Sequence, residues 1–349
     1  MIITDNSTTK KKNATIYDVA KTVGVSPKTV SNYINKSAPV KKETGARISE
    51  AIKKLDYKPN IIARGLRTGR TKNIGIITLN IANSFYPSLI DAIEEKAFMN
   101  EYSVTISCNY YDLEREKKHL NTFIQNGIAG LILCSGLNDM DLIKNVQKNN
   151  IPIVALDRKI KDEDIPYVGI DNYKAFYRAT EYLIKTGHKK IYYLTEPIIM
   201  ATLEDRLRGY KQALNDNNIK LQDDWVKVDQ RLQNSKVQGG YEVFEELLKN
   251  GDKPDAVFGV ADTVIYGAMK AAYDNGLRIP EDISFMGNND IYISKYIMPE
   301  LATIRWKKRK MGEKAFEILF DLINKKKIRK KKYIFETEII ERKTIKIRN

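Results

Sequence analysis

The chain has 349 residues, of which 42% are apolar and 30% are charged. This composition suits two or three packed domains and excludes a disordered or fibrous polymer. The two cysteines, Cys108 and Cys134, lie in apolar runs and exclude a disulfide-rich scaffold, and the two histidines show no metal-ligand spacing. The first fifteen residues lack the apolar core of a signal peptide, and no segment approaches the ~18 uncharged residues of a membrane span. We therefore expect a cytoplasmic protein without a metal.

The positive charge is concentrated near the amino terminus. Residues 1–72 hold 16 Lys and Arg against 5 Asp and Glu, a net charge of +11, whereas residues 73–349 hold 43 against 39, a net charge of +4. This distribution indicates a basic module and not a uniformly basic surface. A second basic run extends from Arg305 to Lys332 and includes KKKIRKKK at Lys325–Lys332. A solvated helix end and loop is the simpler interpretation of that run, and a nucleic-acid contact is the alternative.

The first sixty residues predict three short helices. Thr15 can cap a helix beginning at Ile16, with Asp18 completing a capping box, and Ser26-Pro27 is a typical start for a second helix after a turn at Gly24. The apolar residues of these two helices fall on facing stripes, and a third helix over 43–55 closes a small core. The residues of the two facing stripes are Val19, Ala20, Val23, Val30 and Ile34, and the third helix adds Ile48, Ile52 and Leu55. This pattern predicts a helix-turn-helix.

The second helix of such a motif presents its first residues to base edges in the DNA major groove. The candidates for DNA contact are Ser26, Pro27, Lys28, Thr29, Ser31, Asn32 and Asn35, together with Thr15 and Tyr17 at the start of the first helix. Asn32 suits a bidentate contact with adenine, and Lys28 suits guanine. A capped three-helix bundle with a polar face is the alternative, but the local charge of +11 favours DNA.

From Asn73 onward, short β-branched runs alternate with amphipathic segments, as in βαβ units. We predict nine strands, over 74–79, 104–108, 131–134, 153–156, 167–170, 191–195, 256–260, 283–286 and 302–304. The helices between them are predicted over 87–99, 113–125, 175–185, 207–215, 240–248, 264–275 and 311–323. Nine strands are more than one doubly wound sheet usually holds. We therefore expect two doubly wound parallel-sheet subdomains with a ligand cleft between them.

These segments resemble one known family. TIYDVAKTVGVSPKTVSNYIN at Thr15–Asn35 is similar to the headpiece of the lactose/galactose repressor (LacI/GalR) family of bacterial transcription regulators, and LDYKPNIIARGL at Leu55–Leu66 resembles its third-helix end and hinge helix. The α/β body resembles the family's periplasmic-binding-protein-like core. The resemblance implies a flexible basic tail over 1–13, a DNA-binding domain over 14–59, a hinge helix and linker over 60–72, and an effector-binding and dimerisation core over 73–349. Within the core, it implies an N-subdomain of about 73–171 and 303–328 and a C-subdomain of about 172–302 and 329–349.

The resemblance also assigns roles to the hinge. In the family this segment folds on operator DNA, and a leucine from each subunit wedges into the minor groove. Leu66 stands at that position, Asn60 is the expected helix cap, and Arg64, Arg67 and Arg70 are expected near phosphates. A linker residue that touches its own core is the alternative for Leu66.

The core motifs resemble ligand-binding elements of the family. Asn83-Ser84-Phe85-Tyr86 follows the first strand, Asp157-Arg158 follows the fourth, and Arg206 matches an arginine that holds ligand oxygens. The predicted effector site consists of Asn83, Phe85, Tyr86, Asp157, Arg158, Arg206, Arg231, Asp262 and Asn289. An ordinary ion pair is the alternative for Asp157-Arg158. Asn289 in place of a carboxylate and Arg231 in place of an aromatic residue extend the expected ligands from sugars to sugar acids and sugar phosphates.

The resulting hypothesis is a sequence-specific DNA-binding regulator of carbohydrate metabolism genes, acting as a repressor and controlled by a sugar-like effector that releases DNA. Its expected partners are a pseudo-palindromic double-stranded operator, a second copy of the chain and the effector, with no cofactor and no membrane. An enzyme is not expected, because no phosphate loop, GxGxxG turn or nucleophile elbow occurs. A transport-type binding protein would lack the headpiece, and a DNA-compacting protein would not need the α/β core. No heptad repeat follows Ile345, so a C-terminal coiled coil is not predicted.

Overall fold

The computed structural model describes residues 14–35, 37–58, 70–134, 140–160, 162 and 164–348. The chain divides into two compact units, residues 1–71 and 72–349. The first contains helices α1 (Ile16–Val23), α2 (Pro27–Asn35) and α3 (Lys42–Lys54). The prediction of three short helices in this region is confirmed.

Local hydrogen bonds explain where the first two helices begin and end. The Asp18 carboxylate accepts a hydrogen bond from the Thr15 backbone N–H at 2.8 Å, and the Thr15 hydroxyl accepts one from the Asp18 N–H. Gly24 ends α1 at φ 72°, a conformation that costs glycine little, and the Ser26 hydroxyl accepts from the Thr29 N–H at 3.1 Å. Val19, Val30 and Ile48 are fully buried between the three helices.

The second unit contains two six-stranded sheets. The N-subdomain sheet has strand order β11-β5-β4-β3-β1-β2, and all its neighbouring pairs are parallel. Its strands are β1 (Asn73–Thr78), β2 (Ser103–Cys108), β3 (Gly130–Leu133), β4 (Ile153–Leu156), β5 (Tyr167–Ile170) and β11 (Lys332–Phe335). Its helices are α4 (Tyr86–Met99), α5 (Leu113–Gln125), α6 (Met140–Lys148) and α12 (Lys308–Ile323).

The C-subdomain sheet has strand order β12-β10-β9-β8-β6-β7, in which only β12 is antiparallel to its neighbour. Its strands are β6 (Ile191–Thr195), β7 (Val226–Val228), β8 (Ala256–Gly259), β9 (Ser284–Asn289), β10 (Ala302–Arg305) and β12 (Glu338–Ile340). Its helices are α7 (Asn172–Lys185), α8 (Ala201–Asp216), α9 (Arg231–Asn234), α10 (Lys236–Lys249) and α11 (Asp262–Asp274). Two 3₁₀ turns lie at Asp223–Trp225 and Tyr292–Lys295.

The chain passes between the two subdomains three times: after β5, after β10 and between β11 and β12. The predicted division was wrong at two places. Residues 303–305 belong to β10 of the C-subdomain because they pair with β9, and β11 belongs to the N-subdomain because it pairs with β5. The third crossover therefore comes after Phe335, whereas the predicted boundary lay between residues 328 and 329.

The core follows from continuous apolar strands, as expected for parallel sheets covered on both faces. Every residue of β3, β4, β5, β6 and β8 is buried. Helices α10 and α11 pack with their backbones close together, since a Cβ on Gly267 would clash with the Val237 carbonyl oxygen. The fold-class prediction of a helix-turn-helix and two parallel-sheet subdomains is confirmed. No helix among the described residues is long and apolar enough to cross a membrane.

Candidate functional site

The first candidate site is the outer face of α1 and α2. Tyr17 and Lys28 are exposed, Tyr17 to 71% of its surface, while Thr29 and Asn32 are partly buried. Pro27 and Asn35 are also partly buried, whereas Thr15 and Ser26 are exposed and act as helix caps. The structure thus leaves a cation, an aromatic ring and amide side chains of one small basic module at least partly accessible, as contacts with base edges and phosphates would require.

Ser31 does not join this face. Its residue surface is only 9% exposed, and its hydroxyl and carbonyl oxygens accept hydrogen bonds from the Asn35 amide at 3.1 and 2.8 Å. The prediction that Ser31 contacts DNA therefore conflicts with its burial. Asn60, Arg64, Leu66 and Arg67 lie outside the described residues, so their predicted roles stay predictions.

The second candidate site is the cleft between the two subdomains. Six of the nine predicted effector residues line it: Asn83, Phe85, Tyr86, Asp157, Arg206 and Asn289. They come from both subdomains, because the carboxyl ends of parallel strands in the two sheets face each other. The cleft encloses about 50 Å³ and adjoins a mouth of about 330 Å³ that shares Asn83, Tyr111 and Lys236 with it. Ligand sites usually span about 300 to 1,000 Å³, so a small-molecule ligand would need the cleft and the mouth together.

Arg206 is fixed between two aromatic rings. Its guanidinium lies 5.4 Å from the Phe176 ring centre and 5.3 Å from that of Trp306, and its Nε donates to the Asn172 Oδ1 at 2.8 Å. Trp306 in turn packs edge-to-face on Phe85 with ring centres 4.9 Å apart. A planar cation held this way presents its remaining N–H groups in a fixed direction. Arg206 is therefore positioned to donate to a ligand oxygen.

Asp157 and Asn289 supply acceptors from opposite subdomains. The Oδ1 atoms of both are buried and have no hydrogen-bond partner among the described residues. Burial raises the pKa of Asp157 to about 6, although Arg206 and Asn172 oppose that rise. A buried acceptor left unpaired costs about 1–3 kcal/mol, so these two oxygens favour a ligand that donates hydrogen bonds.

Among the lining residues that the sequence did not indicate, three form one hydrogen-bonded group. The Tyr111 hydroxyl, in the N-subdomain, donates to the Glu196 Oε2 at 3.2 Å, and the Lys236 ammonium donates to the same oxygen at 2.8 Å. Glu196 and Lys236 both belong to the C-subdomain, so Tyr111 connects the two subdomains. Glu196 directly follows β6 as Asp157 follows β4, and this strand-end position was the signal that could have found it. Nothing in the sequence indicates that Lys236, forty residues later, is its partner.

Three predicted effector residues lie elsewhere. Arg158 is 1% exposed and forms a buried ion pair with Glu116 at 2.9 Å. Asp262 is fully buried and accepts from Thr303, Ser294 and the Ile291 N–H at 2.5 to 2.8 Å. The structure therefore does not bring these two predicted residues to the cleft lining, because both side chains are buried within their own subdomains.

Arg231 is the third predicted effector residue that lies outside the cleft lining. Its guanidinium pairs with Asp229 at 2.7 Å and with Glu246 at 2.6 Å, on the surface of the C-subdomain. These carboxylates raise the pKa of Arg231, and hydrogen bonds from the Arg231 guanidinium lower the pKa values of Asp229 and Glu246. The cation that suggested an acidic ligand is therefore neutralised outside the cleft.

Comparison with known proteins identifies both units. Residues 15–60 match the family model for bacterial regulatory proteins of the lacI family, and residues 71–343 match that for periplasmic binding proteins and the sugar binding domain of the LacI family. The transcriptional repressor PurR of Mannheimia succiniciproducens is 33% identical over 336 residues, covering 95% of this chain and 99% of PurR.

Two solved structures extend the comparison. The Lac repressor dimer bound to operator and the anti-inducer ONPF superposes with a TM-score of 0.83 at 27% identity, covering 95% of this chain and 99% of the repressor chain. A LacI family transcriptional regulator from Enterococcus faecium with bound ribose gives a TM-score of 0.71 at 26% identity, covering 79% and 100% of the two chains. The chain belongs to the LacI family of bacterial transcriptional regulators.

Proposed function

We propose that this chain is a homodimeric repressor of carbohydrate metabolism genes whose effector is a neutral sugar, and that sugar binding releases operator DNA. The main support is the pair of unpartnered buried oxygens, on Asp157 and Asn289, at the cleft of a LacI-family protein. The protein acts on chromosomal DNA, which places it in the cytoplasm.

The charges of the cleft favour a neutral ligand. Its lining contains two carboxylates, Asp157 and Glu196, and two cations, Arg206 and Lys236, so the charges balance. Lys236 is already paired with Glu196, and Arg231 lies outside. Arg206 is the one lining cation without an ion pair among the described residues, and a sugar acid or sugar phosphate would add negative charge beside two carboxylates, so the charge of the occupied cleft would become negative. We therefore set aside the charged ligands that the sequence had suggested.

Hydroxyl donors and a ring face complete the fit. Sugar hydroxyls can donate to the Asp157 and Asn289 oxygens and accept from Arg206. Phe85 and Tyr86 supply apolar ring surface beside them, with centroids 5.3 Å apart. The ribose-bound Enterococcus faecium regulator is a relative with a sugar ligand. We infer a monosaccharide-sized effector for this chain.

The DNA-binding part of the proposal rests on the first unit. Lys28 and Asn32 on α2 read base edges, while Tyr17 and the caps at Thr15 and Ser26 contact the phosphate backbone. The Lac repressor dimer provides the precedent, because it is bound to its operator. Ser31 is left out of this set.

Exposed apolar side chains support a dimer. On the N-subdomain they are Phe98, Met99, Ile106, Tyr110 and Leu113, near the end of α4 and along β2 and the turn after it. On the C-subdomain they are Tyr273, Tyr292, Ile293, Tyr296 and Met298. Such residues on both subdomains suit an interface with a second copy. A symmetric dimer would read two half-sites of a pseudo-palindromic operator.

Contacts between the subdomains provide the allosteric element. Tyr111 bonds to Glu196, and Lys159 of the N-subdomain pairs with Asp205 of α8. A sugar that binds one arrangement of the subdomains better than another shifts the population toward it. In our proposal the shift moves the N-subdomains of the dimer and thereby the attached DNA-binding units.

The test begins with selection of genomic fragments by the purified full chain, followed by titration of the selected operator in the presence of neutral pentoses and hexoses. The proposal predicts a palindromic site and at least one neutral sugar that weakens binding tenfold or more. Sugar acids and sugar phosphates are the comparison ligands. A response to these alone contradicts a neutral effector, and failure to select any site contradicts operator binding.

A further inference from the structure

The segment Lys325–Lys332 forms a concentrated cationic surface on the N-subdomain. Seven of its eight residues are Lys or Arg, and all seven are exposed; only Ile328 is partly buried. The segment connects α12 to β11, and we call it the cationic loop. In the core as a whole, over residues 73–349, 43 Lys and Arg nearly balance 39 Asp and Glu, so the cationic loop is a local concentration of positive charge.

Few carboxylates neutralise the cationic loop. Lys326 pairs with Asp321 at 2.9 Å and Lys331 pairs with Asp164. Within the described part of the chain, the other five cations, Lys325, Lys327, Arg329, Lys330 and Lys332, form no ion pair with a carboxylate. Lys330 instead lies 5.1 Å from the centre of the Tyr333 ring. The loop therefore offers about five positive charges to an external anion.

The position of the loop follows from the strand directions. It ends where β11 begins, and every neighbouring pair in the N-subdomain sheet is parallel, from β11 through β5, β4 and β3 to β1. The amino ends of parallel strands meet at one edge of a sheet. The cationic loop therefore shares an edge with Asn73, the first residue of β1, and with Lys72 before it. Four strand spacings of about 4.8 Å separate β11 from β1, roughly 19 Å.

This edge is also where the chain enters the core from the DNA-binding unit. The segment between Lys58 and Lys72 has a maximum length of about 50 Å, from about 3.5 Å per residue. The covalent connection therefore keeps Lys58 within about 70 Å of the cationic loop, whatever the arrangement of the two units. Tethering at such distances corresponds to a millimolar effective concentration of phosphates, at which contacts that are weak individually become populated.

We propose that the cationic loop is a second DNA-contacting element, which binds the phosphate backbone of the duplex engaged by the helix-turn-helix. This inference rests on the proposed DNA-binding function. The contact is independent of base sequence, because lysine ammonium groups on a surface loop reach phosphate oxygens and not base edges. It adds affinity and salt dependence without changing which operator is chosen.

The test removes three cations that have no described ion-pair partner. In the full chain, K327Q/R329Q/K332Q is compared with K189Q/K220Q/K253Q, which removes three exposed lysines from the loops preceding β6, β7 and β8 of the C-subdomain. Both variants have the same net charge. Affinity for a 40-base-pair random duplex and for the selected operator is measured by fluorescence anisotropy between 50 and 300 mM KCl.

We expect the first variant to lose roughly tenfold or more in affinity for both duplexes at 0.1 M salt, and its log–log salt slope to fall by up to about 2.7, at about 0.9 per phosphate contact. The second variant should match the wild type. The charge-conserving variant K327R/R329K/K332R should retain wild-type affinity and slope. Wild-type affinity and salt slope in K327Q/R329Q/K332Q would show that the loop does not contact DNA. An equal loss of affinity in K327Q/R329Q/K332Q and K189Q/K220Q/K253Q would show the same. A wild-type chain that binds neither duplex would instead overturn the proposed function itself.

Discussion

Asp157 and Asn289 occupy matching positions in the two subdomains. Asp157 directly follows β4 and Asn289 ends β9, and both have a left-handed backbone, with φ of 54° and 111°. Each also has a buried side-chain oxygen without a partner among the described residues. Unusual backbone conformations and unpaired buried acceptors both cost free energy, of order 1–3 kcal/mol each. Their coincidence on both sides of one cleft is what a preorganised ligand site requires.

Replacing Asp157 by Asn should alter how stability depends on pH. The pKa of Asp157 is about 6 in the folded chain, against 3.8 for an ordinary Asp carboxyl, because burial disfavours the charge. The folded state therefore holds its proton more tightly, and Asp157 makes the wild type progressively less stable as the pH rises from about 4 to about 6. D157N lacks this loss, so its stability relative to wild type should increase over that range, by up to about 3 kcal/mol.

Urea unfolding of both proteins at pH 4, 5, 6 and 7 measures this difference. Asp262, whose pKa burial also raises to about 6, remains in both proteins and cancels in the comparison. A difference between D157N and wild type that is constant with pH would show that Asp157 titrates normally.

Tyr111→Phe should favour separation of the subdomains. The substitution removes the hydroxyl that donates to Glu196 and leaves the ring in place. A hydrogen bond to a charged group contributes about 1.5–3 kcal/mol, so the population with the subdomains together should fall. Tyr110→Phe is a matched control, because Tyr110 is its sequence neighbour, also has positive φ and is half exposed, and phenylalanine keeps the ring that we assign to the dimer interface. Small-angle scattering should show a larger radius of gyration for Y111F alone; equal radii for the two variants would exclude a role in closure.

Arg206→Lys should abolish the effector response while leaving operator binding intact. Lysine keeps the charge but loses the planar fork that stacks between Phe176 and Trp306 and donates to Asn172. We expect sugar affinity to fall tenfold or more. Arg208→Lys is the control, since Arg208 lies on the same helix with a 68% exposed side chain. Isothermal titration with the responsive sugar measures both variants, and an R206K protein with wild-type affinity would remove Arg206 from the site.

Arg231→Ala should leave effector affinity unchanged. Its side chain is 37% exposed and pairs with Asp229 and Glu246 away from the cleft. Exposed ion pairs contribute little, so the stability loss should stay below about 1 kcal/mol. The same titration checks this result. Weaker sugar binding by R231A would restore Arg231 to the effector site and with it the case for an acidic ligand.

The fold was largely predictable because its strands are continuous apolar runs. All nine predicted strands are present, whereas β7, β11 and β12 were missed. These three strands are short and half exposed, such as Val226–Val228 at the edge of its sheet. Their pairing depends on neighbouring strands and leaves little periodicity in the sequence. Helix α6, with its four-residue apolar stripe, was missed as well.

The candidate site was predictable only in part. Motif position located Asp157 and Arg206, but it also placed Arg158 and Asp262 in the cleft, because sequence does not show whether a polar side chain turns toward a ligand or toward its own core. Arg158 turns toward Glu116, forty-two residues away in the chain. The same long-range dependence hid the pairing of Glu196 with Lys236. Contacts of this kind arise from tertiary packing and have no local signature.

The most direct test of the account is the affinity of the full chain for its selected operator, measured with and without a saturating neutral sugar, for wild type and D157N. We predict nanomolar operator binding that the sugar weakens at least tenfold in wild type, and equally tight binding in D157N that the sugar leaves unchanged. Operator binding by wild type that no neutral sugar alters, or an undiminished sugar response in D157N, would contradict it.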